Sequence, residues 1–111
     1  MKKYFLLAVF ATLAFISSSA IHRGSYVYEE DGEVSIRIEL KSDGLVSMVD
    51  YQNGTRFEGT YRIDDNNIKP GETKTIYFNL NGQTYRGTLM WPIEEGLCLS
   101  FDGLFFDKTH R

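Results

Sequence analysis

From residue 34 onward the chain alternates. Val34, Ile36, Ile38 and Leu40 fall on one side of an extended backbone, and Ser35, Arg37, Glu39 and Lys41 fall on the other. A repeat of two is what a strand with one buried and one wet face requires. The same pattern sets Phe57, Gly59, Tyr61 and Ile63 against Glu58, Thr60, Arg62 and Asp64, and Tyr85, Gly87, Leu89 and Trp91 against Thr84, Arg86, Thr88 and Met90. Ile76, Phe78 and Leu80 form a fourth inward series. Leu45 to Tyr51 leaves the choice open, because Val46 and Met48 compete with Leu45, Val49 and Tyr51 for the inward side.

Turn pairs punctuate these runs: Asp31-Gly32, Asp43-Gly44, Asn53-Gly54, Pro70-Gly71, Asn81-Gly82, Glu95-Gly96 and Asp102-Gly103. Most supply the positive φ that tight hairpins need, and together they divide the chain into about eight short strands. Clean alternation belongs to antiparallel sheets, since parallel strands covered on both faces are continuously apolar. Short connections pair neighbours in sequence, and a long meander removes its exposed edges by closing. The expectation is a small antiparallel up-and-down β-barrel of about eight strands, with a two-sheet β-sandwich as the alternative. The stretch 64–71 reads as a loop, or a short strand and a turn, with Ile68 its one large apolar residue.

The first twenty residues differ. Lys2 and Lys3 precede an apolar run from Tyr4 to Ile16 interrupted by Thr12, and Ser17-Ser18-Ser19-Ala20 follows. Basic start, apolar centre and small-residue cleavage site are the parts of a secretory signal peptide, cut before Ile21. The run is too short to serve as a membrane span. Residues 1–20 are thus expected to be removed, leaving residues 21–111 as one exported all-β domain, periplasmic or extracellular, with no membrane span in its mature form. Loss of Lys2 and Lys3 would take the net charge from −3 to −5. An acidic chain without a basic patch is a poor partner for nucleic acid, whose binding rests on neutralising phosphates.

The Gly24-Ser25-Tyr26 opening, the hairpin meander and the segment Gly59-Thr60-Tyr61-Arg62-Ile63 together resemble the short lipocalin-like barrels among exported bacterial proteins. Tyr26 stands where the usual lipocalin Gly-x-Trp opening has its tryptophan. The resemblance implies a barrel.

Candidate chemistry is sparse. Cys98 is the one cysteine, so no internal disulfide forms, and its apolar surroundings Leu97 and Leu99 predict a buried, inert thiol. His22 and His110 lie near the two ends of the mature chain and read as exposed tail residues rather than as metal ligands, a zinc site needing three or four donors. The acidic groups Glu29-Glu30-Asp31-Gly32-Glu33 and Asp64-Asp65-Asn66-Asn67 read as turns, as does Asn53-Gly54-Thr55, which also matches a glycosylation sequon. Neither a catalytic constellation nor a cofactor motif is present, so an enzyme is not expected. Among the inward residues, Gly59 and Gly87 lie beside Tyr61, Tyr85 and Trp91. Missing side chains there either relieve crowding at barrel corners or leave room for a small apolar or aromatic ligand in the barrel mouth. An eight-stranded barrel is only just wide enough for its own side chains or one such ligand. The two function classes left open are an exported binding protein using Gly59, Tyr61, Gly87, Tyr85 and Trp91, and a module that docks a secreted or envelope protein through an outer face or loop.

Overall fold

The computed structural model describes residues 21–109; the expected signal peptide, 1–20, and His110 lie outside them. Eight strands run in order: β1 Gly24–Glu30, β2 Glu33–Leu40, β3 Leu45–Asp50, β4 Thr55–Ile63, β5 Thr73–Leu80, β6 Gln83–Met90, β7 Cys98–Phe101 and β8 Leu104–Lys108. Each pairs antiparallel with the next, and β8 returns to β1 to close the barrel. It is the up-and-down barrel rather than the sandwich, an architecture compatible with a lipocalin-like chain.

All seven glycine pairs fall in the seven connections between strands. Asp31-Gly32, Asn81-Gly82 and Asp102-Gly103 have positive φ at both positions, the two-residue hairpin turn whose twist matches that of the flanking strands. Asp64–Asn66 forms a single 3-10 turn, and the segment to Gly71 is loop. The open choice in β3 resolves by register. Met48 lies opposite Ile38 and Phe57, and Val46 opposite Leu40 and Gly59, so Val46 and Met48 face inward and Leu45 is exposed.

The barrel axis is packed. Tyr26, Ile38, Ile76, Phe78, Leu89, Leu99 and Phe106 are sealed from solvent. Gly59 and Gly87 are what lets the strands come this close. A Cβ at Gly59 would lie 1.9 Å from the Asn79 carbonyl oxygen, and one at Gly87 would lie 2.8 Å from that of Ser100. Both distances are shorter than carbon and oxygen tolerate, so both glycines serve close backbone approach.

The two ends of the barrel differ for a reason visible in the connections. At one end the strands are joined by residues 31–32, 51–54, 81–82 and 102–103, hairpins too short to fold across the opening. At the other end, residues 64–72 and 91–97 are long enough to cross it, and residues 21–23, which precede β1, lie at that end too. They do so with His22, Ile68 and Leu97, all buried. One end is therefore plugged and the other is a mouth. Among the described residues, no helix is long and apolar enough to cross a membrane.

Candidate functional site

The mouth is built from the inward residues nearest the short hairpins. Strand alternation brings Met48 from β3, Phe57 from β4, Leu80 from β5, Tyr85 from β6 and Phe101 from β7 to one level. They line a cavity of about 360 Å³ together with Asn81, Arg86 and Asp102. A second space of about 140 Å³ continues toward Ile36, Ile38, Asp50, Leu104 and Phe106, sharing Met48, Phe57, Phe101 and Asp102 with the first. The two form one bowl. Its floor is aromatic: Phe101 meets Phe78 edge-to-face at 5.2 Å, and Tyr85 packs on Phe101 in the same way at 6.3 Å. Such geometry fixes the rings. Phe57 and Tyr85 each remain 39% exposed, so large apolar surface faces open space inside the rim.

Polar groups at the rim come from the hairpins. Asp50 is occupied, accepting hydrogen bonds from the backbone N–H groups of Gln52 and Asn53 and from Asn53 Nδ2 at 2.8–3.3 Å. Glu30 accepts from the Tyr28 hydroxyl and from Gln52 Nε2. Tyr85 donates to Gln83 at 2.6 Å. Asp102, by contrast, has no hydrogen bond or ion pair to any described residue.

Of the expected ligand residues, the structure brings Tyr85 alone into the bowl. Trp91 lies six residues further along the chain, roughly 20 Å at the rise of a strand, where its backbone bonds to Gly71 and Glu72 at the plugged end. Tyr61 also sits at that end, its hydroxyl 3.0 Å from His22 Nε2 and 3.3 Å from the Lys41 carbonyl oxygen. Gly59 and Gly87 are occupied by neighbouring backbone, as above. The bowl residues not expected as ligand residues are Met48, Phe57, Leu80, Phe101 and Asp102. A signal for them existed: they adjoin the short hairpins, the connections that cannot cover an opening.

The plugged end corrects the reading of His22, which is not an exposed tail residue. It is fully buried, edge-on to Tyr61, and the Tyr26 hydroxyl donates to its carbonyl oxygen at 2.7 Å. Both contacts of the Tyr61 hydroxyl are satisfied if it donates to Lys41 and accepts from the Nε2–H tautomer of His22. That leaves Nδ1 buried without a hydrogen-bond partner. Burial, with Arg23 and Lys108 nearby, holds the His22 pKa down at about 4, so the ring is neutral. Lys108 anchors the same segment by donating to the Ile21 carbonyl oxygen at 2.7 Å. Cys98 is also not fully buried. Leu99 takes the inward position, and Cys98 is partly exposed, its thiol pKa raised by desolvation and by Asp107 and Glu95. Among the described residues, no three His, Cys, Asp or Glu side chains are grouped to hold a metal ion. The chain matches no protein-family model, no curated protein and no solved structure.

Proposed function

We propose that this chain is an exported, non-enzymatic binding protein that holds one small apolar or aromatic molecule in the open mouth of the barrel. The observation that carries the reading is the unfilled bowl at Met48, Phe57, Leu80, Tyr85 and Phe101, set above an interior that is otherwise packed. Its volume falls at the small end of the range for ligand pockets. Polar groups confined to the rim fit a ligand whose body is buried and whose polar end stays wet. The bowl is built on strands rather than loops, so it exists before the ligand arrives and little ordering cost opposes binding.

The test is titration with N-phenyl-1-naphthylamine, a neutral dye whose emission rises in apolar surroundings. Saturable enhancement with one site per barrel is expected. Met48→Trp, which fills the bowl from below, should abolish it, as should Leu80→Phe, with folding checked by circular dichroism. No enhancement in the wild-type protein, or enhancement unchanged in both folded variants, would overturn the reading. Export is tested separately, by the intact mass of protein recovered from the periplasm or medium of a bacterial host, which should begin at Ile21.

A further inference from the structure

We infer that the mouth selects organic cations: a small molecule with an apolar or aromatic body and one protonated amine or quaternary ammonium. This rests on the bowl being a binding site, and it follows from how charge is laid out along the barrel axis.

The four described lysines, Lys41, Lys69, Lys74 and Lys108, all lie toward the plugged end. The mouth end carries Glu29, Glu30, Asp31, Glu33, Asp50 and Asp102 on or beside its hairpins. Three arginines occupy the same half. Arg56 is ion-paired with Glu58 at 3.1 Å, and Arg37 is turned toward the Tyr51 hydroxyl at 3.3 Å. Arg86 borders the larger cavity, reaching its rim from a position that alternates with the inward-facing Tyr85. The opening is therefore ringed by more negative than positive charge, over apolar walls that weaken screening.

Within that ring one group is placed to meet a ligand directly. Asp102 lines both parts of the bowl and, unlike Asp50 and Glu30, has its acceptor capacity uncommitted. An ammonium group held there would gain a charge-assisted hydrogen bond and could rest against the exposed ring faces of Phe57 and Tyr85, which attract cations. An anion of the same shape would meet Asp50 and Asp102 with Arg86 alone among the lining residues to offset them. The bowl is too small for more than one compact ring system, which makes the occupant a small molecule rather than a folded partner.

The experiment compares three ligands of one shape by calorimetry at pH 7.5: 1-naphthylmethylamine, 1-naphthalenemethanol and 1-naphthoate. At low salt the cation is expected to bind about tenfold tighter than the neutral alcohol, and the anion weakest. Raising NaCl to about 0.5 M should shrink the cation's advantage severalfold, because the Debye length falls toward 4 Å. Asp102→Asn should lose most of the advantage at low salt and leave the alcohol's affinity unchanged. Arg86→Gln should strengthen cation binding. Equal affinity for cation and alcohol, or a preference for the anion, would overturn the charge inference while leaving the binding site standing. No binding of any of the three would overturn the site and the inference together.

Discussion

Gly59 shows how much a single position carries here. Its missing side chain is the only way the β4 and β5 backbones reach their observed separation, since an added Cβ would sit on the Asn79 carbonyl oxygen. Gly59→Ala is accordingly expected to destabilise the barrel by about 1–3 kcal/mol without changing the volume of the bowl, as a shift in the urea midpoint would show. Gly87→Ala should act in the same direction and less strongly, its clash being 2.8 Å rather than 1.9 Å. His22 makes a prediction in pH. Its folded pKa, about 4, lies below the ordinary 6.5, so the unfolded chain binds a proton that the folded one refuses. The neutral ring's contribution is complete above pH 6.5 and is lost as pH falls from there to about 4, by at most about 3 kcal/mol. Urea midpoints measured at pH 7.5 and 4.5 should therefore converge in His22→Gln relative to wild type; an unchanged difference would show that His22 does not supply the dependence. The inward alternation that singled out both glycines is legible in the chain; the choice between crowding relief and pocket is not, because it turns on the carbonyl that faces each glycine. His22 was not legible. Nothing in the sequence around His22 marks it as a plug, because Tyr61, the partner of its ring, is 39 positions away.

The elements of the barrel are unequally secured. The β5–β6 hairpin pairs over eight residues, whereas β1 and β8 meet in register only at Tyr26–Lys108 and Val27–Asp107. That seam, helped by the bond from the Thr109 N–H to the Ser25 carbonyl oxygen, is what converts a sheet into a barrel. Amide hydrogen exchange is expected to be fastest among the strand pairs at β1–β8 and slowest at β5–β6; uniform protection would contradict that order. The connection after β4 also carries weight, since Ile68 is 2% exposed within it and helps close the far end. Ile68→Ala should cost about 2–4 kcal/mol and loosen that plug without touching the mouth. Strand number and turn positions follow directly from alternation and the glycine pairs. The inward side of β3 does not, because Leu45, Val49 and Tyr51 are as apolar as Val46 and Met48, and only pairing with Ile38 and Phe57 separates them.

At the scale of the molecule, the barrel is polarised by the lengths of its connections. Short hairpins leave one end open over Phe57 and Tyr85, and long ones seal the other with His22, Ile68 and Leu97. This is why the aromatic residues that read as one inward group, Tyr61, Tyr85 and Trp91, separate into two ends. Periodicity reports which face a residue takes but not its height along the axis, which depends on strand direction and tilt. One consequence is that Trp91 emission should respond weakly to a ligand in the mouth, while Phe57→Trp should place a responsive reporter at the rim. The most direct test of the account is a methyl-resolved NMR titration with 1-naphthalenemethanol, read at methyl groups of known height in the barrel. Shifts confined to Met48, Leu80, Leu104, Ile36 and Ile38, with Ile68 and Leu97 unmoved, are the predicted result. Shifts centred on Ile68 and Leu97, or none at any methyl group up to saturating ligand, would contradict it.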